Sequence, residues 1–152
     1  MSIDTAVRRP ATVPGPVARK LNVTQSGPAD GPVVLLAHGF GCDQGMWDGV
    51  LPHFSGDHRV VRYDLMGYGQ SDPAAYDPER YATLDGHADD ILAICRELDL
   101  REVTLVAHSV STMMSVQAAI AEPSKPLDKR HHAYVGEALE EACNAIVKAF
   151  TA

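Results

Sequence analysis

Val103-Thr104-Leu105-Val106-Ala107-His108-Ser109-Val110-Ser111 is the stretch whose reading decides the fold of this chain. Its first five residues are apolar or β-branched, the pattern of a short strand covered on both faces. A small-residue turn follows with a serine at its apex, and Val110 to Ala121 then has the composition of a helix. A serine held on a sharp strand-to-helix turn has its hydroxyl lifted above the sheet edge, where a nucleophile is placed. The usual form of such an elbow is G-x-S-x-G, and here Ala107 and Ser111 occupy both glycine positions. Alanine stays small, but a side chain at 111 is expected to crowd the approach of strand and helix.

Upstream, the same alternation repeats. Val33-Val-Leu-Leu-Ala37 is a continuous apolar run bounded by Gly31-Pro32 and Gly39, and Arg59-Val-Val-Arg-Tyr63 is a second β-branched run. Between them, Trp47 to Phe54 fits one or two helical turns, with Met46 and Trp47 expected to pack in the core. From Thr83 to Leu98 the apolar residues Leu84, Ala88, Ile91, Cys95 and Leu98 recur at helical spacing, with Asp85, Asp89, Asp90 and Glu97 on other faces. Strands alternating with helices predict an α/β fold with a doubly wound, mostly parallel sheet and right-handed crossovers. Lys20 to Gln25 reads as one further strand. Residues 1–19, broken by Pro10, Pro14 and Pro16, read as a disordered arm. Residues 124–152 read as a polar linker followed by an amphipathic helix from Tyr134 to Phe150, which presents Val135, Leu139, Ala142, Ile146 and Ala149 on one face.

Charge narrows the partners. The formal net charge is −7 over 152 residues. Residues 1–20 carry a net +3, residues 21–123 a net −10, and residues 124–152 balance. An acidic body does not favour a phosphate backbone or an anionic membrane surface, so neither nucleic acid nor membrane is expected as a partner. The three cysteines, Cys42, Cys95 and Cys143, are too scattered for a disulfide framework or a zinc site, and no metal or cofactor is expected. No apolar stretch has the length of a membrane span, and the proline-rich start does not read as a signal peptide. A reducing cytoplasm is the expected compartment.

His38-Gly39-Phe40-Gly41 follows the first buried run. Its glycines let the backbone turn tightly and leave an N–H free to point into a site. With Leu36-Ala-His-Gly-Phe-Gly-Cys-Asp-Gln44 come Asp57-His-Arg-Val-Val61, Tyr63-Asp-Leu-Met-Gly-Tyr-Gly-Gln-Ser-Asp72, Tyr81-Ala-Thr-Leu-Asp-Gly86 and Leu105-Val-Ala-His-Ser-Val110, in that order. Together these motifs resemble the N-terminal half of the RsbQ-type α/β hydrolases, bacterial activators of a stress sigma-factor pathway similar to the plant karrikin and strigolactone receptors. The resemblance covers about residues 20–123. It implies an α/β-hydrolase sheet, Ser109 as nucleophile, and the N–H groups of Phe40 and Val110 as the oxyanion hole. It also implies a small apolar pocket to which His38, Gly39, Phe40 and His108 contribute, and a small ester or lactone-like ligand.

Family members continue into a helical cap and later strands that supply the acid and the histidine of the triad. After Ser109 this sequence has only His131 and His132, with Asp128 as a nearby acid. These fall within one loop or helical turn and are weak triad candidates, because triads are defined by geometry and not by order. The expectation is a serine-hydrolase scaffold with an incomplete triad and little turnover. The alternatives are a ligand-sensing or stress-signalling component with a protein partner, and an inactive truncated product. A nucleophile strand without its next neighbour would be an exposed apolar edge, so a homodimer through that edge is also expected. His87 reads as a boundary residue, and Asp64 as a turn former in the Gly67–Gly69 loop.

Overall fold

A computed structural model of the chain describes residues 11–121. The helix read over Tyr134 to Phe150 lies outside the described residues, as do Asp128, His131 and His132.

Five strands form one sheet, and two apolar layers cover it. In chain order the strands are β1 (Ala11–Thr12), β2 (Thr24–Ser26), β3 (Val33–Ala37), β4 (Arg59–Tyr63) and β5 (Thr104–Ala107). The helices are α1 (Pro16–Lys20), α2 (Leu51–Phe54), α3 (Asp85–Glu97) and α4 (Val110–Ala121), with single 3-10 turns at Gln44–Trp47 and Pro73–Ala75. Sheet order is β1-β2-β4-β3-β5. β3 lies parallel to both β4 and β5, in registers that pair Ala37 with Tyr63 and Ala37 with Ala107. β1 and β2 add an antiparallel margin.

The continuous apolar runs are explained by burial on both faces. Side chains alternate across a strand. In β3, Val34 and Leu36 join Val60, Val106, Trp47, Val50, Leu51 and Phe54 in one cluster. Leu35 and Ala37 turn the other way, to Val61, Tyr63, Leu105, Ala107 and residues of α1, α3 and α4. The β3-to-β4 connection therefore covers one face, and the β4-to-β5 connection covers the other. That is the doubly wound α/β arrangement expected from the sequence.

Three expectations are corrected. The disordered arm does not extend through residue 19: Ala11 and Thr12 pair with Gln25 and Thr24, and α1 docks on α3. The cause is Glu97, whose carboxylate accepts from the N–H groups of Val17 (3.0 Å) and Ala18 (2.7 Å) and so caps a helix that Gly15 does not cap. The strand read over Lys20 to Gln25 is shorter, because Lys20 ends α1. Finally, Asp90 does not lie on a solvated face of α3; it is 2% exposed. Its carboxylate accepts from Lys20 Nζ (3.1 Å), Arg80 Nη2 (3.1 Å) and the Tyr81 hydroxyl (2.8 Å). Each of its oxygens thus meets a partner, which a buried carboxylate requires.

Candidate active site

The loops after β3, β4 and β5 meet at the C-terminal end of the parallel strands, where open α/β sheets bind their ligands. Ser109 stands between β5 and α4 with φ 56°, in the left-handed region, and its side chain is exposed. A non-glycine residue held there is strained by about 1–3 kcal/mol, so its surroundings must impose the conformation. They do so with hydrogen bonds on both sides of the serine. The His108 N–H donates to Ala37 O (3.0 Å), Ser111 N–H to His108 O (3.2 Å) and Thr112 N–H to Ser109 O (3.0 Å).

Ser111 is not the source of crowding expected of it. It is fully buried, and its hydroxyl donates to His38 O. The hydroxyl therefore ties the start of α4 to the end of β3. The close approach is made instead by Gly39, where a Cβ would lie 3.0 Å from Ser109 Cβ and closer still to His108 Nδ1. Glycine at 39 is thus required by the nearness of the two loops.

Phe40 and Val110 are brought to the same cleft, a space of 780 Å³ whose walls also include Met66, Tyr68, Tyr81 and Met114. That volume lies within the range of small-molecule sites. Phe40 is 76% exposed and meets the Tyr68 ring edge-on at 5.6 Å. Among the described residues, the turn bonds of these two loops start from Cys42, Ser111 and Thr112, and none of them starts from Phe40 or Val110.

His38, Gly39, His108 and Ser109 itself do not line this cleft, which Ser109 adjoins through Val110. His38 is fully buried beneath it, and both of its ring nitrogens are engaged. Nε2 accepts from the Leu65 N–H (2.9 Å), which leaves the proton on Nδ1 to be donated to Gly39 O (2.9 Å). Burial pushes its pKa below the usual imidazole value, against the opposing pull of Asp64. His38 is a neutral brace between two loops, with no nitrogen free to take a proton from Ser109. His108 is half-buried beside Gly39, with Nδ1 buried and unpartnered.

Asp64 does more than form a turn. It is 1% exposed and accepts from Asn22 Nδ2, Gln44 N–H and Gln70 N–H, each at 2.8 Å. Gly69, at φ 54°, lets the backbone close over that carboxylate, where a Cβ would overlap it. No spacing rule in the sequence joins residues 22, 44, 64 and 70. His87, expected as a boundary residue of its helix, is a wall of the cleft, where burial lowers its pKa. Among the described residues no hydrogen bond joins the Ser109 hydroxyl to an imidazole, and no group of His, Cys, Asp and Glu is arranged to hold a metal.

A doubly wound sheet with a left-handed serine at the end of its edge-side parallel strand defines the class of protein. The family model described as alpha/beta hydrolase fold matches residues 32–125, and the chain belongs to that family. It is 48% identical over 90 residues to the karrikin insensitive 2 receptor CA of Petunia hybrida, covering 59% of this chain and 33% of the relative. It is 40% identical over 108 residues to the strigolactone esterase RMS3 of Pisum sativum, covering 71% and 40% respectively. Among solved structures, a hydrolase from Oleispira antarctica superposes with a TM-score of 0.69 at 37% identity, over 72% of this chain and 40% of that one. The chain spans between a third and two fifths of the length of these relatives.

Proposed function

We propose that this chain presents a serine nucleophile, Ser109, to a small apolar ester or lactone-like ligand, with the N–H groups of Phe40 and Val110 as oxyanion donors. The observation that carries the reading is the strained serine at φ 56°, next in the chain to Val110, which lines the cleft together with Phe40. Oxyanion donors of this kind are worth a few kcal/mol each when aimed at the developing charge. Two of the relatives, one a receptor and the other an esterase, support a small ligand.

Turnover is low in this reading. A serine hydroxyl without an adjacent base is a weak nucleophile, and His38, the buried imidazole nearest in sequence to the oxyanion loop, has both nitrogens committed. Asp128, His131 and His132 are the weak candidates for acid and base in this reading. Binding and oxyanion stabilisation alone leave roughly a thousandfold catalysis over water when a triad member is lost. A fluorophosphonate probe is therefore expected to label Ser109 slowly or not at all. Rapid labelling that is lost in both Ser109→Ala and a His131/His132 double substitution would overturn the low-turnover reading.

The second reading is a ligand sensor of the RsbQ type that acts through a signalling-protein partner in the cytoplasm. It is favoured by the combination of a formed cleft with a nucleophile that has no described base. β5 also ends the sheet order among the described residues. Its outer edge is proposed as a homodimer contact, since an unpaired apolar edge is a template for another strand.

A further inference from the structure

The cleft lined by Phe40 and Val110 has one polar ring whose hydrogen-bonding capacity its surroundings do not use. His87, in the first turn of α3, lines the space together with Tyr76, Tyr81, Thr83 and Met114. Its Nδ1 is buried and has no hydrogen-bond partner. Tyr81 cannot supply one readily: its ring lies tilted against His87 at 4.8 Å, and its hydroxyl is donated to Asp90. Tyr76 stacks on Tyr81 with ring centroids 5.5 Å apart, so three rings are gathered on this wall. A buried polar atom without a partner in a native fold calls for a specific explanation, and a ligand is one.

We propose that His87 is the polar anchor of this cleft, binding the hydroxyl of a neutral aromatic alcohol whose ring lies along Tyr76, Tyr81 and Met114. The proposal rests on the cleft being the ligand site. A neutral imidazole has one N–H and one bare nitrogen in either tautomer, and a hydroxyl can meet whichever is presented. Burial favours the neutral ring, with Asp90 opposing and Arg80 and Lys20 reinforcing that effect. Neither cation is free to recruit an anion, because both are paired with Asp90. A neutral ligand is therefore the better match. Phe40 and Val110 lie on the same cleft, so one bound molecule can touch the anchor and face the serine elbow.

The test compares 2-naphthol with naphthalene, which differ by the hydroxyl alone, on the full chain by fluorescence titration and by NMR of the histidine ring nitrogens. Naphthol is expected to bind about tenfold more tightly, a gap worth about 1.4 kcal/mol, and to shift the His87 ring signals. His87→Phe should bring the two affinities within twofold of each other. His87→Gln, which keeps a donor and an acceptor, should restore most of the difference. Equal affinities in the unaltered chain, or a preference that survives His87→Phe, would overturn the anchor while leaving the cleft as a site. Failure of both probes to bind would overturn the anchor and the ligand-site reading together. Fluorophosphonate labelling reports on Ser109 independently of either result.

Discussion

Single residues show how tightly this site is specified. Gly39 sits where a methyl group would press on His108 and Ser109. Gly39→Ala is expected to destabilise by about 1–3 kcal/mol, the usual scale of overpacking, read as a lower urea midpoint. Ser111→Ala acts differently. It fits the space but leaves the buried His38 carbonyl without its donor, at a cost of about 1 kcal/mol. Glycine at 111, as the common elbow pattern has it, should cost as much or more, because here the hydroxyl is part of the fold. A Ser111→Gly variant as stable as the parent in thermal unfolding would remove Ser111 from that role. The serine at 109 and the turn glycine at 41 were legible in the sequence because their backbone geometry is local, whereas the need for glycine at 39 comes from the loop that carries His108 and Ser109. The inward turn of the Ser111 hydroxyl was not, since its acceptor lies 73 residues away.

At the scale of elements, α1 and α3 are joined by side chains that the helical periodicity assigned to solvent. Glu97 caps α1 from another helix, and Glu97→Ala is expected to cost about 0.5–2 kcal/mol, as other lost helix caps do. The loss should show first as faster amide exchange at Val17 and Ala18. Asp90 binds Lys20, Arg80 and Tyr81 at once. Removing a partner of a fully buried ion pair costs several kcal/mol, but Lys20 and Arg80 keep side-chain exposures of 26% and 37% and can return to water. Asp90→Ala should therefore cost less, about 1–3 kcal/mol, most of it from the stranded Tyr81 hydroxyl. Guanidinium denaturation of Asp90→Ala beside Tyr81→Phe checks this, because the two losses should overlap rather than add. The apolar stripe of α3 was readable from spacing. Asp90 was not, because its burial depends on cations delivered by α1 and by the loop before α3.

For the whole molecule, pH is the lever that the buried imidazoles provide. His38 and His87 both have folded pKa values below the ordinary 6.5. The unfolded chain therefore takes up protons first as pH falls, and stability decreases from about 6.5 downward until the folded-state pKa values are reached. Above that window these two groups contribute no pH dependence. Chemical denaturation at pH 7.5 and 5.5 should give the lower stability at 5.5, with the difference reduced in His87→Gln. The edge of β5 belongs to this scale too. If a second copy pairs there, light scattering should report a dimer in which the outward-facing Leu105 and Ala107 amides exchange slowly; a monomer in which those two amides exchange freely would remove the edge contact.

Strand and helix order, the two-sided burial of β3 and β5, and the serine at its turn were determined by the sequence itself. Each follows from side-chain period or from the chemistry of neighbours in the chain. The tertiary structure alone decided that His38 is a brace and not a pocket wall, that Asp64 gathers donors from three separate loops, and that His87 faces a cleft. Those roles come from groups far apart in sequence and brought within bonding distance by the packing of the sheet, and no local pattern carries that information.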